Sequence, residues 1–269
     1  MSPSPQEPTP DAEVRLAVDA LTGVATLTLS HPRRRNAITL AMAGQLIRYV
    51  TELAAVPEIR LLVLGGADGD FSSGADITAL RPDGPGELGE ELMRCEDVLR
   101  GCPLPTIAAV EGNCVGAALQ LALACDLRVA ASDARFGITP ARLGLVYPAP
   151  TVARLVRSLG AAAAKRLLFT GDLLGAEAAA RLGVVDEVAA PDAFPATVDR
   201  LAGTIAARSA VSVAAAKDMV DASAEAPDGE VPRSVSTRWA EVGNPDLAVG
   251  LAAFAAGRPP VFPPRHVGL

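Results

Sequence analysis

Two short stretches of this chain carry the residue types that can hold a developing negative charge. Phe71-Ser72-Ser73-Gly74-Ala75-Asp76-Ile77 follows the apolar run 59–64, and Gly112-Asn113-Cys114-Val115-Gly116-Ala117 follows the apolar run 106–110. Where a buried strand gives way to a glycine-bearing loop and a helix start, backbone N–H groups lack internal acceptors and point outward. Such groups stabilise an oxyanion without any titratable side chain. Small residues after one strand more often just make a turn, so neither stretch decides anything alone. Two of them in one chain are a stronger signal.

Other chemistries are poorly supplied. The only histidines are His31, beside Pro32, and His266, near the C-terminus. A Ser-His or Cys-His nucleophile pair and a histidine-rich metal site are therefore not expected, and no metal ligands are assigned. The four cysteines, Cys95, Cys102, Cys114 and Cys125, show no paired C-x-x-C spacing, which fits free thiols in a reducing cytoplasm. A net charge of −7 and a pI near 5 argue against a nucleic-acid or anionic-membrane partner. The one basic cluster, Arg33-Arg34-Arg35, reads either as a solvated turn or as a local phosphate contact. Apolar runs such as 115–125 are interrupted by Gln120 and fall short of the roughly 18 residues that span a bilayer.

The secondary structure around these loops follows from periodicity. Val14 to Val18 and Val24 to Leu29 alternate around Thr22-Gly23 and predict a β-hairpin. Helical spacing covers 40–54 and 116–124, and strands are expected at 59–64, 106–110, 126–130 and 184–188. Strands alternating with helices imply parallel ββα units with right-handed crossovers and a sheet buried on both faces. Beyond about Pro191 the pattern is all helical, at 193–207, 211–222, 233–241 and 247–256. The expected organisation is a proline-rich disordered tail over 1–12, with neither basic n-region nor apolar h-region, an α/β core over 13–190 and a helical region over 191–269.

The motifs together resemble the crotonase superfamily, the enoyl-CoA hydratase and isomerase family. The resemblance runs from about Val14 to Pro264. It is carried by His31-Pro32-Arg33-Arg34-Arg35-Asn36-Ala37-Ile38, by the two glycine loops, and by Leu121-Ala122-Leu123-Ala124-Cys125-Asp126-Leu127-Arg128. Phe136-Gly137, Leu143-Gly144-Leu145, Phe169-Thr170-Gly171, Leu182-Gly183-Val184-Val185 and Phe254 to Phe262 follow in order. It implies a spiral of ββα units, a C-terminal helical trimerisation region, a homotrimer or dimer of trimers, and an acyl-CoA substrate. Coenzyme A enters as part of that substrate, with no tightly bound cofactor. By position, the N–H groups of Ala75 and Ala117 correspond to the pair that holds the thioester oxygen. Many members carry Gly where Ala117 stands; the donor survives and the methyl narrows the acyl pocket. The same resemblance assigns coenzyme A contacts to Arg33, Arg35, Ala37, Ser73, Asp76, Ile77, Gly116, Thr139, Pro140, Leu143, Phe254 and Arg258.

The chain departs from the family's hydratases at two positions. The resemblance places their two glutamates at Gln120 and Pro140. An amide cannot accept a proton at useful pKa, and proline has no acid-base group. Chemistry that needs an enolate and little base is then favoured, such as decarboxylation of a malonyl-type thioester. Thr139-Pro140-Ala141-Arg142-Leu143-Gly144-Leu145-Val146-Tyr147 is similar to the loop of the family's methylmalonyl-CoA decarboxylases, with Tyr147 placed to orient a carboxylate and Arg142 to attract one. The rival readings are a hydratase or isomerase using a carboxylate from elsewhere, such as Glu111 or Asp76, and a non-catalytic acyl-CoA-binding homologue. A Clp-type serine protease of the same spiral fold is disfavoured, because neither histidine is placed to activate a serine.

Overall fold

Strands β1 (Glu13–Asp19) and β2 (Val24–Ser30) form the expected antiparallel hairpin, closed by Gly23 at φ +71°. A side chain there would meet the Glu58 carbonyl at 2.3 Å, so the turn needs glycine for space as well as for φ. The computed structural model describes residues 12–79, 86–226 and 229–265. The expected 1–12 tail, apart from Ala12, and His266 lie outside the described residues.

From β2 the main sheet continues in parallel through β3 (Leu61–Gly66), β4 (Thr106–Val110), β6 (Leu127–Ala131) and β9 (Glu187–Ala189), in the order β1-β2-β3-β4-β6-β9. The near-continuous apolar runs of β3 and β4 reflect burial on both faces. Leu62, Leu64, Ala108 and Val110 enter one core, with α1 (Leu40–Ala54), α2 (Gly86–Arg100) and α3 (Ala117–Ala124). Leu61, Val63 and Ile107 enter a second, against Phe194, Val198 and Ala202 of α7 (Phe194–Ala206). A second sheet of three short strands, β5 (Asn113–Val115), β7 (Arg135–Gly137) and β8 (Leu174–Gly175), is ordered β5-β7-β8. Its formation turns the loop after β4 into a supported strand that leads into α3.

The helix expected over 40–54 starts behind the cap of Thr39, whose Oγ1 accepts from Met42 N at 3.2 Å. The strand expected over 59–64 is shifted to Leu61–Gly66, because Ile59 and Arg60 are used in the turn that meets Gly23. The strand expected over 184–188 begins only at Glu187, since Val184 and Val185 are core residues of the preceding turn. Two long helices were not legible. α2 follows a Gly- and Pro-bearing stretch, and α5 (Ala149–Thr170) holds Pro150 in its first turn and a kink at Gly160, φ +78°. The short helices α4 (Pro140–Leu143) and α6 (Ala176–Arg181) complete the core. The end of the chain is helical as expected, through α7, α8 (Ala210–Glu225), α9 (Arg233–Val242) and α10 (Leu247–Ala255). Lys217 on α8 donates to Asp126 Oδ2 at 2.7 Å and to Leu104 O at 3.1 Å, tying α8 to the core. Asp126 also accepts from Thr106 N at 2.7 Å, so it works as a structural anchor.

Candidate active site

The two glycine loops lie side by side, held by hydrogen bonds that no periodicity argument reveals. Asp70 Oδ1 accepts from Asn113 N at 2.8 Å and from Asn113 Nδ2 at 2.7 Å. Phe71 N donates to Glu111 O, Ser72 N to Asn113 O and Val115 N to Ser72 O, at 2.8, 2.8 and 3.2 Å. The first loop therefore begins as a strand neighbour of β5. Two residues later it changes partner: Ile38 N donates to Gly74 O at 2.7 Å and Asp76 N donates to Ile38 O at 2.9 Å. In this parallel bridge the groups flanking Ala75 face Ile38, so the N–H of Ala75 itself points the other way. It has no acceptor among the described residues.

Gly74 makes that change of side possible. Its φ of +102° suits glycine, and a β-carbon there would sit 2.6 Å from Val115 O and 3.6 Å from Ala117 N. The second loop ends in Gly116, φ +60° and ψ −122°, which caps α3 without a side chain. Gly116 N donates to Gly137 O at 2.8 Å, so β7 fixes the entry to the helix. Ala117 is the first residue of α3, and its N–H likewise has no acceptor among the described residues. Both free donors thus belong to half-buried alanines at one junction of strand, loop and helix start.

The basic turn belongs to the same construction. Ser73 N donates to Arg35 O at 2.9 Å, Ser73 Oγ to Arg34 O at 2.9 Å, and Ser72 Oγ to Asn36 O at 2.7 Å. Arg35 and Asn36 both adopt positive φ, 47° and 58°. Asn36 offsets that strain by donating to Ala67 O at 2.8 Å and Asp70 O at 2.7 Å. Arg33 and Arg35 are exposed and Ala37 is buried. Arg34 Nη1 donates to Asp76 Oδ1 at 2.7 Å. Burial opposes ionisation of Asp76, but hydrogen bonds from Thr78 N and Oγ1 and the charge of Arg34 outweigh it and hold the carboxyl below its usual range. Asp76 is therefore a firm anion that fixes the loop and is a poor proton acceptor.

Four further expected residues lie on α3, on α4 and just beyond α4. Gln120, one turn into α3, is 4% exposed, and its Nε2 has no hydrogen-bond partner among the described residues. Tyr147, on the chain leaving α4, is half-buried and packs on the main core. A β-carbon at Gly116 would lie 3.7 Å from the Tyr147 hydroxyl, which places the phenol beside the second loop. Burial pushes its pKa up to about 12, with a smaller contribution from the charge of Glu96. The phenol is therefore neutral and able to donate a hydrogen bond. Thr139 and Pro140 open α4 directly after β7, Pro140 buried and Thr139 half-buried.

Some expected residues are not gathered in. Ile77 and Leu143 are 68% and 62% exposed, and Arg142 is exposed. Phe254, 87% exposed on α10, and Arg258 just beyond it make no side-chain hydrogen bond to either loop among the described residues. The cysteines are all buried and free. Burial raises the Cys114 thiol far above its usual value and those of Cys95 and Cys125 to about 12, which leaves no thiolate for nucleophilic work. His31 is buried too, with Nδ1 2.9 Å from Ala37 O.

Comparison with known proteins places this arrangement. The sequence profile of the enoyl-CoA hydratase/isomerase family matches residues 19–264. The chain belongs to that family. Within it, the mouse mitochondrial enoyl-CoA hydratase domain-containing protein 2 is 32% identical over 263 residues, covering 94% of this chain and 89% of the relative. Crotonyl-CoA hydratase of Syntrophomonas wolfei is 32% identical over 201 residues, covering 72% and 76%. Among solved structures, an enoyl-CoA hydratase/carnithine racemase from Magnetospirillum magneticum superposes with a TM-score of 0.86 at 32% identity, covering 93% of this chain and 95% of that one. The architecture described above is thus the crotonase fold, and the family acts on acyl-CoA substrates. No helix among the described residues is long and apolar enough to cross a membrane.

Proposed function

We propose that this family member binds an acyl-CoA thioester with its carbonyl oxygen between the N–H groups of Ala75 and Ala117, and that its reaction is decarboxylation of a malonyl-type thioester. The observation that carries the reading is the pair of unpartnered donors at the junction of the two loops. Fixed N–H groups favour the enolate over the ground-state carbonyl, by about 3 kcal/mol per donor. Arg33 and Arg35, exposed in the basic turn that holds Ser73, give the nucleotide end of coenzyme A its phosphate partners, and Phe254 and Arg258 close over it in a homotrimer or dimer of trimers.

Decarboxylation suits the side chains at the hole. Loss of carbon dioxide delivers the electron pair to the thioester without proton abstraction, so no strong base is needed. Gln120 and the neutral Tyr147 offer hydrogen bonds to a departing carboxylate, and Asp76 is committed to Arg34 and Thr78. Water addition is the second reading, supported by the hydratase names of the relatives. It requires an acid and a base at the acyl group, and Gln120 and Pro140 supply neither.

A substrate panel tests the choice. Carbon dioxide release from malonyl- and methylmalonyl-CoA is expected to exceed hydration of crotonyl-CoA, followed by loss of its conjugated absorbance. Fast hydration with no carbon dioxide release would overturn decarboxylation. Gln120→Glu should raise crotonyl-CoA hydration by less than about tenfold, since Pro140 still provides no partner acid. Tyr147→Phe should lower kcat on the decarboxylated substrate by about 10- to 100-fold with little change in KM, because the hydroxyl is spent on the transition state and not on the fold.

A further inference from the structure

Away from the two glycine loops, a small cavity of about 10 Å³ lies where the start of β3, the α7–α8 junction and the segment 262–265 come together. Three arginines line it, Arg60, Arg208 and Arg265, together with Pro103, Pro105 and Ala210. No acidic residue lines it, and none of the three arginines makes an ion pair among the described residues. Their donors go to carbonyl oxygens instead. Arg60 Nη1 donates to Ala206 O and Arg208 O, both at 3.3 Å, and its Nη2 donates to Phe262 O at 2.9 Å and to Pro263 O. Arg265 Nη2 donates to Ala54 O and, at 3.1 Å, to Val56 O. Carbonyls satisfy these hydrogen bonds but leave the positive charge without a counter-ion.

Two independent observations point to a negative guest. Arg265 is only 7% exposed, and its buried Nε has no hydrogen-bond partner among the described residues. A cation withdrawn from water in this way is costly unless a counter-charge accompanies it. The second observation is the start of α8, a helix of 16 residues whose first residue is Ala210. Its cap, Ser209 Oγ, accepts from Ser212 N at 3.1 Å, and the N–H groups of Ala210 and Val211 have no acceptor among the described residues. The positive end of the helix dipole therefore adds to the arginines. Asp246 accepts from Ser209 Oγ at 2.6 Å and is engaged with the cap, outside the cavity lining.

We propose that this cavity binds a monatomic inorganic anion, chloride in ordinary salt, between Arg60, Arg208, Arg265 and the start of α8. The volume admits one guest about the size of a water molecule, so a halide fits and phosphate does not. The anion offsets the buried charge of Arg265. It thereby fastens the segment 262–265 to the end of α1, where Arg265 N donates to Pro57 O at 3.1 Å, and to the α7–α8 junction.

Thermal unfolding of the full chain in sodium chloride and in sodium gluconate, at equal ionic strength, tests the site. Gluconate is too large to enter. Chloride should raise Tm along a saturating curve, by about 2–4 °C at about ten times its Kd. Equal Tm in the two salts would mean that water alone fills the cavity, and would overturn the proposal. The Arg208 side chain makes no hydrogen bond or ion pair among the described residues, so Arg208→Met should fold normally. It should weaken chloride binding by about tenfold and move the midpoint of the Tm titration to higher chloride. Arg265→Met should lose the chloride increment altogether; where that variant fails to fold, because its bonds to Ala54 and Val56 are lost, Arg208→Met decides. A midpoint unmoved in Arg208→Met would overturn the assignment. Crystals soaked in bromide give a direct reading: an anomalous peak among the three guanidinium groups is expected, and an empty cavity under bromide would contradict the proposal.

Discussion

Replacing Ala117 by proline should lower kcat by about 10²- to 10³-fold while leaving the fold nearly intact. The first position of a helix is the one place where proline is well accommodated, because its N–H has no helical acceptor and its φ is already set. Ala117 occupies that position in α3, and its N–H has no acceptor among the described residues. Residues before proline are normally confined to extended backbone, but here the preceding residue is Gly116, which tolerates its φ of +60°. The substitution therefore deletes one proposed oxyanion donor and little else. Steady-state kinetics beside thermal unfolding check it: a large fall in kcat with a small change in Tm is expected. Ala117→Gly keeps the donor and should retain most of the activity. Full activity in Ala117→Pro would remove Ala117 from the site.

Gly74→Ala should destabilise the protein by about 2–3 kcal/mol and abolish most activity as well. At φ +102° any side chain is strained, and the new methyl would press on the Val115 carbonyl at 2.6 Å. The neighbour is backbone of β5, bonded to Ser72 on one side, so it cannot yield without separating the two loops. Gly69→Ala is the control. It shares a positive φ, +76°, but nothing lies within 4 Å of the new atom, so its cost is limited to roughly 1 kcal/mol of backbone strain. Chemical denaturation of both variants separates local strain from forced loop separation. Equal destabilisation would show that the contact between the loops is unimportant.

Much of this construction is visible in the sequence, and what escapes has a physical reason. The hairpin around Gly23, the helix over 40–54 and the strand over 106–110 announce themselves through period-2 or 3.6 spacing and appear with those limits or close to them. The two loops are legible because glycines and small residues follow apolar strands. The register between them is not, because it rests on single long-range bonds such as Asp70 to Asn113 and on the change of partner at Gly74. The spacing of Leu88, Leu92, Cys95 and Leu99 is enough to reveal α2, but the preceding Gly-Pro stretch reads as loop. α5 is hidden for a similar reason, since Pro150 and Gly160 break its helical pattern. Exposed residues such as Phe254 and Leu143 are assigned by resemblance alone, and nothing in the local packing draws them toward the loops.

Two backbone donors that hold a thioester oxygen must polarise its carbonyl. Infrared difference spectroscopy of a bound acyl-CoA carrying carbon-13 at the thioester carbonyl reads that polarisation directly. A carbonyl between Ala75 and Ala117 should absorb at lower frequency than in water, and Ala117→Pro should return most of the shift without abolishing binding. Binding with an unshifted carbonyl, or a shift unaffected by Ala117→Pro, would show that these two N–H groups do not form the oxyanion hole.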